Sequence, residues 1–139
     1  MNINQNSAEF LLSFGIRPSM QRIAIMDYMM ANRTHPGVEE IFAALSPSMP
    51  TLSRMTVYNT LNLLSDAGAI LSLEIDRTAR HFDADTSPHG HFICSRCGHI
   101  DDLPLPPSLE AGEQMPGGHL VQSVQLAYRG VCKNCLKDQ

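Results

Sequence analysis

The chain has 139 residues, 43% of them hydrophobic and 17% charged, with 10 Lys/Arg against 14 Asp/Glu and a formal net charge of −4. That length suits one ordinary domain or two small ones, and the composition excludes a disordered or collagenous chain. No apolar run approaches the roughly 18 residues of a membrane span, and Met1-Asn-Ile-Asn-Gln-Asn-Ser-Ala8 lacks the basic-then-apolar layout of a signal peptide, so a cytoplasmic protein is expected.

The first half reads as helices. Ser7 can cap a short helix through Leu12 that stops at Gly15. Ser19 can cap a second, running to about Ala31. A third carries Val38, Ile41, Phe42 and Leu45 at helical spacing, and Pro47 and Pro50 mark the loop after it. The fourth starts at Ser53 and ends before Gly68, with Val57, Leu61 and Leu64 on one apolar stripe. Its opposite face bears Met55, Asn59 and Asn62, with Tyr58 on the flank. Asn side chains can pair with adenine edges, and Tyr58 can reach phosphate or a thymine methyl. Leu71-Ser-Leu-Glu-Ile75 then alternates as a strand, turns around Asp76-Arg77-Thr78 and returns through Arg80-His-Phe82.

Helices followed by a hairpin predict a winged helix-turn-helix, with the fourth helix for recognition and the Arg77/Arg80 hairpin as the wing. The candidate DNA contacts are Arg17, Arg54, Thr56, Tyr58, Asn59, Asn62, Arg77 and Arg80. All six basic residues before residue 81 are Arg, the side chain suited to bidentate phosphate and guanine contacts. The same pattern also fits a helical domain whose polar face and charged hairpin are simply solvated. A net charge of −4 argues against indiscriminate coating of nucleic acid, not against reading one specific site.

The second half reads as short strands around a small helix. His91–Cys94 and Ile100–Leu103 flank the first Cys pair, Ser108 can cap a helix that Met115-Pro-Gly-Gly118 ends, and 120–128 alternates as a strand. Cys94-Ser-Arg-Cys97 and Cys132-Lys-Asn-Cys135 are two C-x-x-C pairs with no cysteine left over. That spacing favours one closed tetrahedral Zn²⁺ site over two disulfides or a redox dithiol. A closed four-thiolate site argues stability rather than catalysis.

A second constellation holds Asp83, His89-Gly-His91 and Asp102. Residues i and i+2 share a strand face, so His89 and His91 can converge on one ion. Imidazole and carboxylate without thiolate suit Fe²⁺, Mn²⁺ or Zn²⁺. An exposed, inert H-x-H beside a solvated Asp101-Asp102 edge is the alternative. His35, before Pro36, reads locally as a loop residue. A metal hydrolase is disfavoured, because no general base or nucleophile lies near the H-x-H, and no enzyme is expected.

Five motifs occur in order: Gly15-Ile-Arg-Pro-Ser-Met-Gln-Arg22, His35-Pro-Gly-Val-Glu-Glu-Ile-Phe42, Met55-Thr-Val-Tyr-Asn-Thr-Leu61, His89-Gly-His-Phe-Ile-Cys-Ser-Arg-Cys97 and Gly130-Val-Cys-Lys-Asn-Cys135. From about Ser7 to Cys135 the chain resembles the ferric uptake regulator (Fur) family of bacterial metal-dependent repressors. The resemblance implies an α+β homodimer binding a palindromic operator in double-stranded DNA. Residues 1–83 would form the winged helix and 84–139 a small α/β dimerisation domain with the Cys₄ zinc, the regulatory metal lying at the hinge. Carried over by position, the regulatory ligands would be His35, Asp83, His89, His91 and Asp102, holding Fe²⁺ or Mn²⁺, with Zn²⁺ as an occupant on isolation.

Asp102, where iron-uptake members commonly have Glu, and Met55-Thr-Val-Tyr-Asn59 resemble the peroxide-sensing branch. That branch implies Fe²⁺ reacting with hydrogen peroxide and oxidising His35 or His91, whereas Mn²⁺ would support repression without that sensitivity. An iron-responsive repressor of the same fold and a zinc-stabilised protein-interaction module are the rivals. Departures from the family pattern are Ser19-Met20 in place of Thr-Pro, and Pro88 and Gly90 where further ligands often stand. His99 and His119 receive no role.

Overall fold

The computed structural model describes residues 6–73, 80–87, 89–106, 116–121 and 124–137. Its elements are α1 (Ser7–Ser13), α2 (Met20–Ala31), α3 (Val38–Leu45), α4 (Arg54–Asp66), β1 (Leu71–Leu73), β2 (His81–Asp83), β3 (Gly90–Cys94), β4 (Ile100–Leu103), a 3₁₀ turn (Pro116–Gly118), β5 (Ala127–Gly130) and α5 (Lys133–Lys137). They divide into two compact units, Met1–Thr86 and Ser87–Gln139. Among the described residues no helix is long and apolar enough to cross a membrane.

In the first unit, short polar side chains supply acceptors for the otherwise unsatisfied N–H groups at helix starts. Ser19 accepts from the Arg22 N–H at 3.1 Å and Ser53 from Thr56 at 3.0 Å. For α1 the expected cap is corrected by one residue. Asn6 has the extended backbone a cap needs and accepts from Glu9 at 2.8 Å, while the Ser7 hydroxyl donates to the Asp27 carboxylate. α3 begins at Gly37 without a side-chain cap, but Glu39 and Glu40 in its first turn complement the helix dipole. Gly15 and Gly68, at φ +73° and +85°, take the left-handed conformation that ends α1 and α4.

The core joins these helices. Leu11, Ile25, Met26, Ile41, Val57, Leu61, Leu64 and Phe82 are all fully buried. The α4 stripe read from the sequence is therefore the buried one, and Thr60 lies beside it, also buried. β1 and β2 pair antiparallel, with Leu71 opposite Asp83 and Leu73 opposite His81. The return strand thus runs one residue later than expected, because this register takes in Asp83. The turn expected around Asp76-Arg77-Thr78 lies outside the described residues, as does the helix expected from Ser108.

The second unit is a three-stranded sheet in the order β4-β3-β5, antiparallel between β3 and β4 and parallel between β3 and β5. Among the described residues of the strand expected from Leu120, pairing with β3 runs from Ala127: His91 faces Ala127, and its N–H donates to the Leu126 carbonyl at 2.9 Å. Among the described residues of this unit only Gly90, His91, Cys94 and Cys132 are buried. A unit this small with so little apolar core needs a covalent or metal staple.

Candidate metal centres and nucleic-acid interface

The four cysteines are grouped as such a staple requires. Cys94 ends β3, Cys97 closes the turn after it, and Cys132 and Cys135 sit at the start of α5 and within it. Their sulfurs all lie within 4.8 Å of one another, with Cys94–Cys135 at 3.8 Å and Cys97–Cys132 at 3.7 Å. None of the four is in a disulfide. Four sulfurs at about 2.3 Å from a tetrahedral zinc stand about 3.8 Å apart, so the donor set fits the ion.

The backbone prepares the site electrostatically. N–H groups of Cys97 and Cys132 point at Cys94 Sγ from 3.4 and 3.3 Å and lower its pKa to about 5. Cys135 is pushed up to about 12, first by its neighbour Cys132 and then by burial. At Cys97 the His99 backbone pulls the other way, but the Cys94 thiol and burial outweigh it and raise the pKa. Crowded thiols resist joint ionisation, and a bound dication removes that resistance.

The second unit also gathers imidazole and carboxylate. His91 stands opposite Asp102 in the β3–β4 register. His89 Nε2 and His91 Nε2 each lie 3.4 Å from the same Asp102 oxygen, and the two rings are 4.5 Å apart. The His89 Nδ1 is 2.6 Å from the Ser87 carbonyl. A carbonyl only accepts, so Nδ1 carries a proton, which leaves Nε2 as the nitrogen that can offer a lone pair to an ion. That arrangement, with the far nitrogen anchored to a carbonyl, is the outer-shell pattern of metal-ligating histidines.

The first unit holds a matching pair. His35 Nε2 lies 3.5 Å from Asp83 Oδ2, with both side chains only 5% exposed. Two donors at about 2.1 Å from a shared ion stand roughly 3.0–3.4 Å apart, so these separations suit co-ligands better than direct hydrogen bonds. His35 is the loop residue the sequence suggests, but at φ +58° it is the one described non-glycine residue with positive φ. His99 bonds instead to exposed Asp101 at 2.8 Å.

The candidate DNA contacts fall into two groups. Tyr58 and Asn59 are exposed on α4, and Arg17, Thr56 and Asn59 line an open cleft of about 560 Å³ with Ser19, Gln21 and Arg22. Others have partners within the unit. Arg54 donates to Glu39 at 2.9 Å and lies over the Phe42 ring, while Arg80 donates to Asn62 at 3.0 Å and to Ser72. Arg77 lies outside the described residues. Sequence reasoning gave no role of their own to Glu39, Ser72, Arg22 and His81, although Arg22 and Glu39 stand inside the family motifs; their roles depend on tertiary neighbours.

A winged-helix unit followed in the chain by a small sheet, with a four-thiol site and imidazole–carboxylate groups, defines a metal-binding protein of helix-turn-helix type. The ferric uptake regulator family model matches residues 13–128. The peroxide-responsive repressor PerR of Staphylococcus epidermidis is 36% identical over 138 residues, covering 96% of this chain and 91% of that one. Its Staphylococcus aureus counterpart is 36% identical over 133 residues, covering 94% and 90%. The chain belongs to the ferric uptake regulator family. Among solved structures, the regulator from Francisella tularensis with iron is 25% identical with a TM-score of 0.74, covering 88% of this chain and 96% of that one. PerR from Streptococcus pyogenes is 30% identical with a TM-score of 0.54, covering 97% and 94%.

Proposed function

We propose that this protein is a metal-dependent, DNA-binding repressor that responds to peroxide, acting as a homodimer on a palindromic operator and not as an enzyme. Cys94, Cys97, Cys132 and Cys135 hold a structural zinc. His35 and Asp83 of the first unit, with His89, His91 and Asp102 of the second, hold the regulatory Fe²⁺ or Mn²⁺. The observation that carries this reading is the approach of two imidazoles to one Asp102 oxygen, with the His89 proton committed to Ser87. Identity to peroxide-responsive relatives over most of the chain supports the signal.

Ligands drawn from both units tie those units together only while they share an ion. Metal binding therefore favours the arrangement in which the two α4 helices of a dimer suit successive half-sites. Bound Fe²⁺ would supply the redox chemistry with hydrogen peroxide by which His35 or His91 gains oxygen. Tyr58 and Asn59 read base edges, Arg17 and Thr56 face the backbone beside them, and Arg80 holds Asn62 in place next to them.

The test uses a duplex selected from a random pool by the Mn²⁺-loaded protein, with binding to the Fe²⁺ form followed anaerobically by fluorescence anisotropy. Low micromolar peroxide is expected to abolish binding and add one oxygen to the mass of a peptide bearing His35 or His91. Unchanged binding and mass would favour the iron-responsive reading, which the likeness to the iron-bound Francisella regulator supports. If Tyr58→Ala and Asn59→Ala leave affinity within about twofold, the recognition-helix assignment falls.

A further inference from the structure

His81 belongs to neither donor group, yet it grips the backbone of one proposed ligand. Its Nδ1 lies 2.8 Å from the carbonyl oxygen of His35. A carbonyl only accepts, so His81 Nδ1 carries the proton and donates it. The bond falls on the residue whose backbone most needs support. Left-handed φ is disfavoured for any side chain with a Cβ, and such a residue persists only where its surroundings over-determine it.

Those surroundings are the start of β2. The Phe82 N–H donates to the Pro36 carbonyl at 3.0 Å. Gly37 approaches so closely that a Cβ there would stand 3.0 Å from the Arg80 carbonyl oxygen. On the other side, the Thr34 hydroxyl donates to Glu40 at 3.0 Å. His81 and Phe82 thus hold His35 and Pro36 by hydrogen bonds while the Arg80 carbonyl closes against Gly37, and of the two bonds the one from His81 is made by its side chain. The next residue of the strand is Asp83, 3.5 Å from His35 Nε2.

We propose that His81 is a positioning residue for the regulatory metal: its Nδ1–H bond to the His35 carbonyl fixes the left-handed turn that aims the His35 imidazole at Asp83. The proposal rests on the reading of His35 and Asp83 as ligands. Outer-shell partners of this kind shift metal affinity about 10–100-fold without touching the ion. His81→Leu removes the donor, whereas His81→Asn keeps an N–H near the Nδ1 position.

The experiment uses full-length, zinc-loaded protein. Mn²⁺ binding is read from the electron paramagnetic resonance signal of free Mn²⁺, and the ligand field from the visible spectrum of the Co²⁺-substituted form. His35→Ala serves as the control. His81→Leu is expected to weaken Mn²⁺ binding about tenfold or more and shift the Co²⁺ spectrum toward that of His35→Ala. His81→Asn is expected to stay within about threefold of wild type with the wild-type spectrum. If His81→Leu does not fold, His81→Ala removes the same donor with less bulk.

Wild-type binding and spectrum in the donor-less variant, with His35→Ala impaired, would overturn the proposal and leave the ligand reading standing. Wild-type binding by His35→Ala would overturn the ligand reading and the proposal with it. Equal weakening by Leu and Asn, with wild-type Co²⁺ spectra, would show that His81 acts through stability alone and overturn the positioning role.

Discussion

His91 and Asp102 face each other across β3 and β4, with His91 Nε2 3.4 Å from the Asp102 oxygen that His89 Nε2 approaches equally closely. With a His89 proton held at Nδ1 by the Ser87 carbonyl, Nε2 is the nitrogen turned toward the Asp102 oxygen. A metal cation between them would be ligated by both atoms. Asp102→Asn keeps the shape and removes the charge. It is expected to weaken Mn²⁺ binding about 10–100-fold in a calorimetric titration, with zinc content unchanged because the thiols are untouched. Wild-type affinity would remove Asp102 from the ligand set.

Zinc loading should release protons in a way the thiols foretell. Cys94, lowered to about 5, is already ionised at neutral pH, whereas Cys97, raised from its ordinary value, and Cys135, at about 12, still hold theirs. Binding therefore displaces protons from Cys97 and Cys135, and affinity rises with pH. Calorimetry of the zinc-free protein in buffers of different ionisation enthalpy measures this. Zinc binding with no proton release near pH 7 would contradict the thiol geometry. Chelation should also unfold the second unit, whose described core is little more than Gly90, His91, Cys94 and Cys132.

Much of this was legible in the sequence for a physical reason: metal chemistry imposes spacing. Two thiols on one tight turn need C-x-x-C, and two imidazoles on one strand face need H-x-H. The α4 stripe was legible because Val57, Leu61 and Leu64 recur at the helical period. What stayed hidden depends on residues far apart in the chain. Nothing near His81 announces a bond to the carbonyl of His35, and nothing near Arg54 or Arg80 announces Glu39 or Asn62. The alternation takes in Val124 and Leu126, whereas among the described residues β5 pairs with β3 from Ala127, a boundary that depends on the neighbouring strand.

Tyr28 ties α2 to α3 through its hydroxyl, which donates to Glu40 at 2.8 Å. Burial first, and then Glu40, raise its pKa from 10.0 to about 12. The folded state therefore keeps a proton that the unfolded chain loses between those values. The resulting stability is complete below pH 10 and is lost as pH rises through about 12. In a spectrophotometric titration, subtracting Tyr28→Phe from wild type should isolate one phenol ionising near pH 12. Ionisation at the ordinary tyrosine value would refute the contact. The same variant should destabilise the first unit by about 1 kcal/mol in urea.

Gly37 and Gly15 separate two reasons for a glycine. Gly37 has an ordinary extended backbone at φ −103°, so alanine there is conformationally allowed; the obstacle is the Arg80 carbonyl oxygen, 3.0 Å from the added Cβ. Gly37→Ala must push the 35–37 segment away from β2, which is expected to cost about 1–3 kcal/mol as an overpacked contact. Because that segment carries His35, Mn²⁺ affinity should fall with stability. Gly15, at φ +73°, has no atom within 4 Å of an added Cβ. Gly15→Ala should cost about 1–2 kcal/mol through backbone strain alone and leave Mn²⁺ affinity unchanged. Urea unfolding and Mn²⁺ titration of both variants decide the matter. Equal metal affinity in the two would mean that the closeness of β2 to the 35–37 segment does not govern the placement of His35.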